Sequence, residues 1–125
     1  MNKQLMELVL PRLARPLYRQ LRRYRAGEMD EAEFTRSFES LLQRQHLWLT
    51  TRGVSDVRAA LAIHGAVLVL SSPGLRAEAA ESSLPLEVIE HRAVREAAQD
   101  VARNYGVSEK KAHRVIAKMV ARYAE

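Results

Sequence analysis

The stretch from Arg95 to Tyr123, REAAQDVARNYGVSEKKAHRVIAKMVARY, decides how this chain is read. It predicts two helices joined by a tight turn. Gly106 is expected to end the first helix in the left-handed backbone region, which glycine enters without a steric penalty. Ser108 then stands where a hydroxyl can cap the second helix. Ala112, Val115 and Ile116 follow at helical spacing. Ala102 is the small residue at which the two helices would touch. Val107 would plug the turn, and Val115 would close a small core against Val101 and Ala102.

Working upstream, a long helix is expected from about Pro85 to Tyr105, capped by Ser82 or Ser83. Residues 71–83 are rich in Ser, Ala and Glu and contain Pro73-Gly74, so they read as a linker. A third helix is expected from Ser55 to Leu70. Its only charged side chains, Asp56 and Arg58, lie in the first turn, which makes it the expected central element. Its end, AVLVL, also fits a short strand, because a continuous apolar run does not fix the period. Asp30 is expected to cap a second helix, with Glu33 reaching back in a capping box. That helix carries Phe34, Phe38, Leu41, Leu42 and Trp48 and stops before Gly53. A basic helix is expected from Arg12 or Pro16 to Arg25, ended by Gly27. On it Leu17, Leu21 and Tyr24 share one face, and Arg19, Arg22 and Arg23 lie largely elsewhere. Leu5–Leu10 reads as a short arm broken near Pro11 and Pro16. The expected fold is all-α: about five helices in a compact bundle with a C-terminal hairpin. It forms one domain over residues 1–125, with helices in 1–70, the linker at 71–83 and the hairpin in 84–125.

The chain also echoes itself. Residues 53–63 read GVSDVRAALAI and residues 106–116 read GVSEKKAHRVI. Both give Gly-Val-Ser, an acid, any residue, a base, Ala, three residues and Ile. The echo fits a duplicated helical hairpin, or two junctions that reached the same capping chemistry. In the first copy Val57, Ala60 and Leu61 stand where the second has Lys110, His113 and Arg114. The first copy is therefore expected in the core and the second at a ligand.

With 125 residues, 47% of them apolar, the chain can bury one modest core. It has no cysteine, which excludes disulfides and thiolate chemistry. The net charge of +5 favours an anionic partner. Residues 1–25 hold seven basic side chains and one acid, a net of +6. Residues 26–51 are net −3 and residues 92–125 net +4. The longest apolar run, Ala59 to Leu70, is about half the length of a membrane span and contains His64. Glu7, Pro11 and Arg12 interrupt any secretory signal. A cytoplasmic protein without membrane association is expected.

The junction around Gly106 resembles the helix-turn-helix of prokaryotic DNA-binding proteins, over about a quarter of the chain. It departs from that pattern at Ala112, where a larger β-branched residue is common. The resemblance implies that the second helix enters a major groove by its N-terminal part. Ser108, Glu109, Lys110, His113 and Arg114 would then face the bases, and Lys111, Lys118 and Arg122 would meet phosphates. Leu17, Leu21, Tyr24, the turn Gly27-Glu28-Met29-Asp30, Leu41 and Leu42 resemble the two-helix SHOCT module of bacterial proteins, which implies assembly rather than catalysis.

Catalytic constellations are missing from the sequence. The turn at Gly27–Phe34 matches only half of a calcium loop, and Arg22, Tyr24 and Ala26 stand where oxygen ligands are needed. His46, His64, His91 and His113 are scattered, and none pairs with another at helical spacing. Glu87, Glu90 and His91 share one helix edge and read as a solvated face. Ser55, Ser82 and Ser108 read as caps rather than nucleophiles. No metal, cofactor or enzymatic activity is expected. The leading expectation is a nucleic-acid-binding protein, a DNA-binding regulator that neutralises phosphates and can act as a homodimer. The rival is an adaptor or assembly subunit whose basic helices bind an acidic protein. An enzyme with a pocket lined by Arg15, Arg19 and Arg22 ranks third.

Overall fold

The computed structural model describes residues 3–124, apart from the side chain of Lys3. Among these residues the chain forms six helices and no strand. In order they are α1 (Lys3–Arg25), α2 (Glu31–Thr50), α3 (Asp56–Leu70), α4 (Ser72–Ser82), α5 (Leu86–Tyr105) and α6 (Glu109–Tyr123). The bundle is built around α3, which packs against all five other helices. On one side of it lie α1 and α2. On the other lie α5 and α6, with α4 against α5.

The reason for the central place of α3 is its composition. Ala59, Ala60, Leu61, Ala62, Ile63, Gly65 and Ala66 are all buried, so apolar side chains ring most of its circumference. A helix that is apolar all round must be covered on all sides. Small residues let the neighbours come close. A Cβ placed on Gly65 would lie 2.6 Å from Met119 Cε and 2.8 Å from its Sδ, so glycine here sets the approach of α3 and α6. Leu61 is buried, while Leu68 is only partly covered. The AVLVL run is helical to Leu70.

Three expected caps are present. Asp30 accepts from Glu33 N at 2.8 Å, Ser55 from Arg58 N at 3.3 Å and Ser108 from Lys111 N at 3.1 Å. Gly27, Gly53 and Gly106 all have positive φ. At the first two, paired backbone bonds close the helix end. Glu28 N donates to Arg23 O and Gly27 N to Tyr24 O; Val54 N donates to Leu49 O and Gly53 N to Thr50 O. Gly106 makes the simpler single bond, to Ala102 O.

Three expectations are corrected. First, α1 is one helix from Lys3 to Arg25 and runs through Pro11 and Pro16. Each interior proline costs about 3 kcal/mol. Leu5, Met6, Val9, Leu13 and Leu17 are buried along one face, at roughly 1.5–3 kcal/mol each, and that offsets the loss. Second, residues 71–83 are largely the helix α4, not a linker. Pro73 sits in its first turn, where its missing N–H costs nothing and its fixed φ favours the helix. Ser71 is the only residue between α3 and α4, and the chain bends there by 54°. Third, neither Ser82 nor Ser83 caps α5. Ser83 is left-handed with φ 62°, and Pro85 precedes α5 without a side-chain cap. The Ser82 hydroxyl accepts from Leu84 N at 3.4 Å, within the turn.

Candidate nucleic-acid interface

The C-terminal hairpin packs α6 into the angle between α5 and α3. Ala112, Ile116, Met119 and Val120 are the buried residues of α6. They meet Val94, Ala97, Ala98 and Val101 of α5 and the apolar wall of α3 in one core. Ala98 and Ala112 are fully buried, so alanines make the close approach. Ala102, expected at that contact, is only half covered. Val107 and Val115 pack on the core edge.

This packing fixes which way the rest of α6 points. At about 100° per residue, Lys110, Arg114, Lys118 and Arg122 form a stripe that drifts slowly round the helix, with Lys111 beside it. All five are exposed. Lys110, Lys111, Arg114 and Lys118 form no ion pair among the described residues. Arg122 lies 5.7 Å from the ring of Tyr123. Glu109 is the only acid within α6. Five cations thus share the solvent side of one helix, and the core side is apolar.

Two expected readers are placed differently. Ser108 is exposed, but its hydroxyl is engaged in capping α6. His113 turns toward α5 and is half-buried. Its ring centroid lies 5.0 Å from that of His91, and its Nε2 is buried without a hydrogen-bond partner. The cause is angular: His113 precedes Arg114 by one residue, so it falls at the edge of the packed arc. The contact also pairs two histidines that no sequence spacing connects. They border a groove of about 590 Å³ between α5 and α6, together with Glu87, Glu90 and Arg76. No group of three or more metal-ligating side chains forms among the described residues.

The other basic region is arranged differently. Arg12 donates through Nε to Gln45 Oε1 at 3.1 Å and lies 3.7 Å over the Trp48 ring. Arg52 lies 4.0 Å over the same ring. Arg12 is thus committed to the α1–α2 packing and Arg52 to the C-terminal end of α2. Arg15, Arg19, Arg22, Arg23 and Arg25 are exposed, and α1 makes no close backbone contact with α5 or α6. At its C-terminal end α6 comes near α1, where Tyr123 lines one cavity with Leu10, Pro11, Ala14 and Tyr18.

A second histidine contact joins the two halves. His46 Nε2 lies 2.9 Å from Asp56 Oδ1, and its ring stacks on Tyr105 with centroids 5.6 Å apart. His64 lines the same shallow cavity of about 390 Å³. Burial lowers the His64 pKa below its usual value, and the nearby Asp100 carboxylate opposes that shift. No single helix among the described residues is long and apolar enough to cross a membrane. Comparison with protein-family models, with curated proteins and with solved structures finds no match to this chain.

Proposed function

We propose that this protein binds nucleic acid, duplex DNA in the first instance, through the exposed face of α6. The observation that carries the reading is the set of five exposed cations, Lys110, Lys111, Arg114, Lys118 and Arg122, on the one side of α6 that the core leaves open. From Lys110 to Arg122 the stripe is about 18 Å long, enough to follow a groove and reach phosphates on its walls. The α-helix fits the major groove, whose width is about 12 Å. Lys110 and Arg114 belong to the N-terminal half and are the base-edge candidates. Lys111, Lys118 and Arg122 are the phosphate contacts. His113 acts from behind: its contact with His91 sets the rotation of α6 on α5 rather than reading a base.

The test is a fluorescence-anisotropy titration of the full chain against a mixed-sequence duplex and a matching RNA, at low and at high salt. Binding is expected to weaken steeply with salt. Lys118→Ala is expected to flatten the log–log salt slope by about 1. Arg114→Ala is expected to cost about 1–3 kcal/mol at a preferred sequence if it reads a guanine. Absence of binding to either nucleic acid at tens of micromolar protein, at low salt, defeats the proposal. It would favour the adaptor reading, in which the same cations meet an acidic protein surface.

A further inference from the structure

A large cavity lies away from α6. It opens between α1, α2 and the α3–α4 bend, with a volume of about 680 Å³. Leu17 and Leu21 of α1, Phe34 and Phe38 of α2, and Leu70 at the end of α3 line it. Phe34 stacks on Phe38 with centroids 6.2 Å apart, and Tyr24 closes on Phe34 at 5.0 Å, so one wall is aromatic. Arg22 and Arg25 also line the cavity, and its lining includes no carboxylate. Neither arginine forms an ion pair among the described residues. The cavity therefore has a direction. On the α1 wall it runs from Leu17 to Arg22 and Arg25, one to two turns further along the helix.

We infer that this cavity binds a small anionic amphiphile, a medium-chain carboxylate, with its chain against the leucines and phenylalanines and its head between Arg22 and Arg25. Pockets of a few hundred Å³ with apolar walls and a few placed polar groups are the usual form of small-molecule sites. A guanidinium presents a planar fork that matches a carboxylate with two parallel hydrogen bonds. The walls argue against a docked helix. Leu17–Leu21 and Phe34–Phe38 each span about one turn, roughly 6 Å, whereas a helix seated in a groove uses anchors over two turns or more. The proposal is independent of α6, which does not line the cavity.

Isothermal titration of the full chain with decanoate, below its micelle concentration, tests this. Decyltrimethylammonium is the control of opposite charge. Saturable one-to-one binding of decanoate is expected, with at least tenfold weaker binding of the cation. Arg22→Gln combined with Arg25→Gln should weaken decanoate at least tenfold and leave the circular dichroism spectrum unchanged. A Cβ added at Gly74, on the rim, meets no atom within 4 Å. Gly74→Phe adds a ring at this exposed lining position and should weaken saturable binding. Lys110→Ala with Arg114→Ala should leave it intact. Equal binding of anion and cation, no saturable binding of decanoate, or indifference to both cavity variants overturns the inference.

Discussion

The junctions at Gly53 and Gly106 are built alike and end differently. Each follows a 20-residue helix and opens a 15-residue helix. In each, glycine is left-handed, the following valine packs on the core edge, and serine caps the next helix. Ala59, Ala112 and Ile116 are fully buried, and Ile63 nearly so. The helices then diverge on their outer faces. Val57, Leu61, Gly65 and Val69 of α3 stand where α6 has Lys110, Arg114, Lys118 and Arg122. In the first set Leu61 and Gly65 are buried and Val57 and Val69 half-buried, whereas the second set faces solvent. The same Gly-Val-Ser signal, closed by paired bonds at Gly53 and by a single bond at Gly106, thus serves a covered helix and an exposed one. The lesson is that capping fixes where a helix begins, and the face it presents fixes where the helix sits.

Exchanging the two outer faces is the sharpest way to break this comparison. Leu61→Arg puts an unpaired charge at a site that is 3% exposed, and a loss of about 4 kcal/mol or more is expected. The equivalent Arg114→Leu should change stability by no more than about 0.5 kcal/mol, while weakening nucleic-acid binding. Urea denaturation of both variants reads the difference. Similar losses at the two sites would show that α6 is as covered as α3.

Gly65 and Lys118 give a gentler version. Gly65→Val drives a branched side chain into Met119 and should cost about 1–3 kcal/mol. Lys118→Val should fall within about 0.5 kcal/mol of the parent. A neutral Gly65→Val would mean that Met119 yields freely, and the close approach of α3 and α6 would not depend on glycine.

The turns themselves should respond alike. Gly53 has φ 88° and Gly106 φ 69°. Gly53→Val and Gly106→Val should each cost about 1–3 kcal/mol from backbone strain, since neither added Cβ meets a neighbouring atom. A cost at one junction only would separate the two turns energetically.

The smallest expected effect is a pH dependence at the interface of the two halves. Burial lowers the His64 pKa in the folded state, against the opposing pull of Asp100. The unfolded chain, titrating near the ordinary value of about 6.5, then holds the proton more strongly. The stability from neutral His64 is complete above that value and falls as the pH drops toward the folded pKa. His64→Gln should flatten this part of the acid limb of a thermal-melt profile. An unchanged limb would place the acid sensitivity elsewhere.

The sites differ in how far sequence alone reaches them. The α5–Gly106–α6 hairpin was legible because its signals are local: a left-handed glycine, a capping serine, and apolar spacing. The exposed side of α6 followed from the same spacing. His113 was misplaced because one residue of helical rotation separates a base-facing position from a packed one, and His91 lies 22 residues away in the chain. The cavity between α1 and α2 gave only partial signals. The spacings Leu17–Leu21 and Phe34–Phe38 mark apolar faces, but not that the α3–α4 bend leaves space between them.

What the sequence determined by itself is the helical class, the glycine turns at 27, 53 and 106, the caps at Asp30, Ser55 and Ser108, and the central place of α3. These depend on neighbours within a few residues, or on the absence of any polar face to expose. Only the tertiary structure decided that α1 continues through two prolines, that residues 72–82 form a helix, and which cations remain free. In α1, burial of a face against α2 and α3 outweighs a local penalty. In α4, proline acts as a first-turn residue, and α4 packs along α5. Arg12 and Lys118 carry the same charge. One is held by Gln45 and Trp48 of another helix, and the other meets no partner among the described residues. The balance between a local preference and the apolar area buried by distant residues is set when the helices assemble, because that area exists only then.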